Sequence, residues 1–193
     1  TDIKSLDRVT GAATAVQIGG KLTRGLGAGG RPEVGAEAAQ NSQQEFRDLL
    51  GKPDLVFLTV GMGGGTGTGA APVVADIAKS SGALVVGVVT TPFSFEGTRR
   101  FDTALSGIGS FKSKVDNLIV IHNDRLLHLL EEEVPMEEAL RLADEAIMLG
   151  VHSIAELVNL PGEINVDMAD VKTIMELPGQ ALMAIGQGSG PGA

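Results

Sequence analysis

Residues 60 to 72 read VGMGGGTGTGAAP, with six glycines and two threonines in thirteen positions. This stretch constrains the fold more than any other, because of what flanks it. The run before it, Leu55 to Val60, is apolar apart from Thr59, as a strand covered on both faces would be. The run after it, AAPVVADIAKSSG, reads as a helix that Gly82 can terminate. A flexible linker would be bounded by polar, Ser-rich sequence, whereas this loop joins a strand directly to a helix. Such a loop places helix N–H groups without intrahelical partners at the carboxyl end of a strand, where an anion binds. Glycines let the backbone approach phosphate oxygens, and Thr66 and Thr68 add hydroxyl donors.

The rest of the chain repeats the alternation. GRPEVGAEAAQNSQQEFRDLL, from Gly30 to Leu50, predicts a helix with Pro32 in its first turn and Glu33 near its positive end. ALVVGVVT and NLIVIH predict short β-branched strands on either side of a helical EGTRRFDTALSGIGSFKSKV. The predicted class is therefore α/β, a Rossmann-like parallel sheet with helices on both faces. Leu140, Ala143, Ile147, Val151 and Ile154 recur at helical spacing in a segment from Met136 to about Leu160. About 25 residues at 1.5 Å each span roughly 37 Å, the length of a connector. A Pro-Gly turn follows, then a helix around Asp170 and a strand-like ALMAIGQG. The expected division is residues 1–160 as the nucleotide-binding domain, including the long helix, and 161–193 as the start of a second.

Composition narrows the function. The net charge is −9, with 24 acids against 15 Lys plus Arg and no basic cluster beyond pairs such as Arg99 and Arg100, which disfavours nucleic acid as a partner. There is no cysteine, and His122, His128 and His152 lack ligand spacing, so no protein-side-chain metal site is predicted. Apolar runs such as ALVVGVV fall short of the roughly 18 to 20 residues that a membrane span needs, so no insertion is expected. No lysine follows the glycines, which excludes a Walker A loop. The glycine spacing is wrong for a dinucleotide fingerprint, and VVTTPF offers no acid to the ribose, which leaves a nicotinamide-dependent dehydrogenase as a weak alternative.

GGGTGTG at 63 to 69 resembles the phosphate-loop signature of the tubulin/FtsZ family, and four further stretches agree with FtsZ in order and spacing. These are KLTRGLGAGGRPEVG at 21 to 35, VVTTPFSFEGTRR at 88 to 100, IVIHNDRLL at 119 to 127 and GEINVDMADVKTIM at 162 to 175. The resemblance implies a tubulin/FtsZ-type GTPase domain that binds GTP and GDP, with Mg²⁺ held through the phosphates. It implies a cytoplasmic protein at the division site, a head-to-tail polymer of itself, and division adaptors recruited by a C-terminal tail. A first strand and a further glycine-rich loop are expected before Thr1, so the chain reads as an internal piece of such a protein.

Carried over by position, Gly61, Gly63, Gly64, Gly65, Thr66 and Gly67 would hold the phosphates, with Ala28, Gly29 and Gly30 near the γ-phosphate. Thr90 and Pro92 would line the nucleotide site, Glu96 would meet the ribose, and Arg100 the sugar-phosphate region. Asn123 and Asp144 would read the guanine edge, a carboxylate accepting from N1–H and the exocyclic amine, and Leu140 would pack on the base. Taken alone, Arg100 reads as a solvated helix residue, Glu96 as a helix N-terminal charge, and Asp144 as one acid of an exposed run with Glu137, Glu138 and Glu145. Asn165, Asp167 and Asp170 in NVDMAD read by themselves as a helix cap. The resemblance makes them catalytic instead, acting on the nucleotide of the next subunit. Leu140 stands where many relatives have an aromatic, Arg31 where asparagine is common, and His122 where proline usually precedes the asparagine. Losing the aromatic removes a stacking contribution of about 0.5 to 1.5 kcal/mol. Two other readings stay open: a piece that binds no nucleotide productively, and a tubulin-like filament protein with a role outside division.

Overall fold

A computed structural model describes residues 1–6, 14–127, 134–159 and 168–175. In chain order the described elements begin with α1 (Ile3–Leu6), α2 (Gly20–Thr23), α3 (Pro32–Asn41), α4 (Gln43–Leu50) and β1 (Leu55–Gly61). They continue with α5 (Thr66–Ser80), β2 (Leu84–Thr91), a 3-10 turn (Ser94–Glu96), α6 (Thr98–Lys112), β3 (Asn117–His122), α7 (Asn123–Leu127), α8 (Met136–Asn159) and α9 (Met168–Met175).

The strands form one parallel sheet in the order β1-β2-β3, with Leu55 opposite Leu84 and Val86 opposite Asn117. Only β2 is buried along its whole length. Its alternate side chains feed two cores: Val85 and Val89 pack with Ala71, Ala75 and Ala78 of α5 and with Ala104 and Phe111 of α6. Val86 and Val88 face Ile154 of α8, with Ile147, Val151 and Met175 packed around them. Helices thus cover both faces, and each fully buried valine contributes about 1.5 to 3 kcal/mol. Gly87 lets the Phe111 ring lie against β2, since a β-carbon there would sit 2.5 Å from the ring.

Two expectations are corrected. β1 is not covered on both faces: Thr59 and Gly61 are exposed, because β1 is an edge strand pairing only with β2 among the described residues. The single helix expected from Gly30 to Leu50 is two, α3 and α4, broken at Ser42 with φ −107° and ψ 18°. Asn41 and Ser42 favour that break, since their side chains compete for the backbone. The strand expected at ALMAIGQG and the boundary expected between residues 161 and 167 lie outside the described residues.

Helix α5 runs from one end of the sheet to the other. It begins at the glycine loop, with four residues between it and the end of β1, and closes in a Schellman turn. There Ala83 N–H donates to Ala78 O at 3.4 Å and Gly82 N–H to Lys79 O at 3.0 Å, with Gly82 at φ +90°. At this far end Asp116 accepts the Val85 N–H at 2.8 Å and pairs with Lys79 at 2.7 Å.

Candidate functional site

A cleft of about 610 Å³ opens at the carboxyl end of the sheet. Among its lining residues are Ala28, Gly29, Gly30, Gly64, Gly65, Thr66 and Arg100, so the two glycine-rich loops named from sequence share one cavity. Helix α5 starts here with Gly65 as its N-cap and no side-chain cap. Its first N–H groups carry the positive end of a 15-residue helix toward the cleft.

The glycines divide into two kinds. A β-carbon on Gly64, Gly29 or Gly30 would meet nothing within 4 Å, so these leave bare backbone beside open space. At Gly65 it would lie 2.7 Å from Arg31 N, at Gly63 2.8 Å from Arg100 O, at Gly67 2.8 Å from Val60, and at Gly69 1.8 Å from Pro32 O. These four are small so that α3, β1 and the start of α6 can close around the loop. Close approach of backbone to backbone, as much as to an anion, explains the glycine density.

Thr68 corrects the expected hydroxyl donor. It is buried, and its Oγ1 accepts the Gly63 N–H at 2.9 Å, which fixes the loop. The Thr66 hydroxyl remains on the cleft wall and hydrogen-bonds the hydroxyl of Thr1, which lines the cleft with Asp2. Glu96 holds its own turn: Oε1 accepts the Phe93 N–H at 2.9 Å, and Oε2 accepts from and ion-pairs with Arg100. Arg100 reaches the cleft, whereas Glu96 does not line it. Gly61, Gly63, Gly67, Thr90 and Pro92 do not line it either; Thr90 and Pro92 are buried, and Thr90 O accepts the Met62 N–H at 3.0 Å.

The residues expected to read a base lie on α7 and α8, off the wall of this cleft. Asn123 opens α7 at 4% exposure, and its Oδ1 is buried with no hydrogen-bond partner among the described residues. A buried acceptor left unpaired costs about 1 to 3 kcal/mol, so this atom fits a ligand that brings an N–H donor. The Asp124 carboxylate accepts the Ser94 N–H at 2.9 Å, tying α7 to the turn that carries Glu96. Leu140 and Asp144 are exposed and four apart on one face of α8. Their neighbours Ala139 and Ala143 pack against Phe93, Leu126 and Leu127. Arg141 pairs with Glu138 and Glu145, and its hydrogen bond holds the Glu138 carboxyl below its ordinary range. Asp144 makes no hydrogen bond or ion pair among the described residues. The acidic run is therefore not uniform.

Asn165 and Asp167 lie outside the described residues. Asp170 is exposed in the first turn of α9. Met175 packs beside α8 and the sheet, Val171 is buried, and Lys172 Nζ donates to Gly82 O at 3.4 Å. Gly82 lies just past the end of α5 and just before β2 begins. The cradle is at the other end of α5, about 22 Å away for 15 residues. Sequence reasoning passed over Lys172, because a lysine in the last turn of a short helix is ordinary.

A lysine-free glycine cradle at a helix N-terminus, on a parallel sheet with a long helix crossing its other face, defines a nucleotide-binding domain of the tubulin kind. The model for the Tubulin/FtsZ family, GTPase domain, matches residues 1–131, and the chain belongs to that family. An empty FtsZ dimer from M. jannaschii is 46% identical with a TM-score of 0.86, covering 91% of this chain and 50% of that one. A point mutant of M. jannaschii FtsZ gives the same identity and TM-score over 52% of its length. GDP-bound CetZ1 from Haloferax volcanii is 28% identical with a TM-score of 0.67, covering 83% of this chain and 48% of its own. The chain thus spans about half the length of the solved structures it matches.

Proposed function

We propose that this chain is the nucleotide-binding part of a self-polymerising GTPase, an FtsZ acting in cell division, whose hydrolytic site forms between successive subunits. The observation that carries this reading is the separation of cradle and acid helix to opposite ends of one helix, α5. An acid on α9 is far beyond hydrogen-bond reach of the cradle in its own chain. In a head-to-tail stack, the far end of one subunit meets the cradle end of the next, and the two half-sites face each other. A contact between unlike ends that does not close gives filaments.

In such a contact Gly64, Gly65 and the first N–H groups of α5 hold the phosphates, and Arg100 adds positive charge at the rim. Asn123 and Asp144 accept from guanine N–H groups, which adenine lacks in that pattern. Asn165, Asp167 and Asp170 of the adjoining subunit orient a water for in-line attack on the γ-phosphorus. The bond to the bridging oxygen breaks, releasing GDP and phosphate. Mg²⁺ held through the phosphates would offset their charge. A free monomer then binds GTP without appreciable turnover.

The identity to FtsZ, 46% against 28% for CetZ1, favours the division role over another tubulin-like filament. Adaptors would engage a C-terminal tail, and the protein would act at the division site; no described helix is long and apolar enough to cross a membrane. In the full-length protein, Asp167→Ala and Asp170→Ala are expected to reduce turnover at least 100-fold while GTP affinity stays within about threefold. Retention of wild-type turnover by both variants would overturn the reading.

A further inference from the structure

The far end of α5 carries more than a stop signal. Its Schellman turn satisfies the carbonyls of Ala78 and Lys79 from within the chain. The carbonyl of Gly82 lies just past the negative end of that 15-residue helix. Lys172 Nζ donates to it at 3.4 Å across 90 positions of sequence. A cation donating at a helix C-terminus is favoured by both the hydrogen bond and the dipole.

On α9 this contact has a geometric effect. Val171, at 8% exposure, and Met175 lie four apart and press one face of the helix inward. By themselves, two apolar contacts on one stripe do not fix the rotation of a two-turn helix about that stripe. Lys172 is off the stripe by about 100° from Val171. Its bond to a fixed backbone atom therefore limits the rotation that the apolar pair permits. Asp170 is two positions earlier on the same helix and exposed, so the direction in which its side chain leaves the backbone turns with that rotation.

We propose that Lys172 is a positioning residue that fixes the azimuth of α9, and so the direction in which Asp170 is presented to the next subunit, by docking on the C-terminal end of α5. The role rests on the intersubunit reading above. It also makes α5 one rigid body joining the cradle that holds a nucleotide to the acid helix that serves the neighbouring one.

The test uses the full-length protein and three variants: Lys172→Met, Lys172→Arg and Lys172→Ala. Turnover is measured at saturating GTP with Mg²⁺ and with subunits well above the critical concentration, alongside the Kd for GTP, the critical concentration and the thermal midpoint. Misplacing a reacting group by an ångström costs up to about 100-fold, so Lys172→Met and Lys172→Ala are expected to lower kcat roughly 10- to 100-fold. GTP affinity and critical concentration should stay within about twofold, and Lys172→Arg, which keeps a donor on that carbonyl, should return kcat to within about threefold of wild type. A merely structural lysine would move the thermal midpoint, affinity and assembly together, and would not split kcat from binding. Wild-type kcat in Lys172→Met, or a loss that Lys172→Arg does not restore, overturns the proposal. The two readings fail separately. A wild-type rate per subunit that does not vary with concentration contradicts the intersubunit site, whereas a full-rate Lys172→Met within a concentration-dependent polymer contradicts only the positioning role.

Discussion

The backbone N–H of Gly63 donates to the buried hydroxyl of Thr68 at 2.9 Å, so the glycine loop is pinned to the helix it introduces. A loop this rich in glycine has a large conformational entropy to lose, and a side-chain tether within it keeps the bare N–H groups in place. Thr68→Val keeps the shape and removes the acceptor, leaving a buried N–H unpaired. The expected loss is about 1 to 3 kcal/mol, read from denaturant unfolding. Thr68→Ser keeps the oxygen and should lose about 1 kcal/mol for its methyl group, which packs where Gly107 has no side chain. Equal stability for Thr68→Val and wild type would remove the tether from the account.

The division of the glycines into packing and open positions predicts opposite phenotypes for two alanines. Gly69→Ala places a methyl 1.8 Å from Pro32 O, backbone against backbone. It should destabilise by about 3 kcal/mol or more, or prevent folding. Gly64→Ala faces open space and should leave stability within about 0.5 kcal/mol, yet weaken GTP binding by crowding the cradle. Thermal midpoints set against nucleotide titrations check both. Equal stability losses in the two variants would contradict the division.

The unpartnered Oδ1 of Asn123 predicts a residue whose worth appears only with ligand. Asn123→Leu removes no hydrogen bond made by that oxygen, so the unliganded protein should keep its stability to within about 1 kcal/mol. GTP affinity should fall about 10- to 100-fold, the cost of one bond to a group buried on binding. Calorimetric titration with GTP and with a deaminated analogue checks this. Unchanged GTP affinity would remove Asn123 from the base site.

Much of this was legible from residues. β2 is a continuous apolar run because both faces are covered, and a long helix at Met136–Asn159 follows from its 3.6-residue period. The cradle was legible because lysine-free glycines between strand and helix admit few other uses. What was not legible depended on tertiary partners. β1 and β2 look alike in sequence, but among the described residues one is an edge and the other is central, which only pairing decides. Thr66 and Thr68 are two apart and chemically equal, yet one lines the cleft and the other turns inward, because a helix rotates them about 200° from each other. Gly63, Gly65 and Gly67 are expected from sequence as phosphate contacts, but the backbone that approaches Gly63 and Gly65 comes from α6 and from the N-cap of α3, far off in sequence. Likewise the separation of Asp170 from the cradle is fixed by how α9 docks, which no motif reports.

The central claim is that cradle and acids meet only between subunits, and the direct measurement is GTP turnover per subunit as a function of protein concentration in the full-length protein with Mg²⁺. The account predicts a near-zero rate below a critical concentration and a rate proportional to the assembled fraction above it. A rate per subunit that is constant from well below to well above the assembly threshold would contradict it.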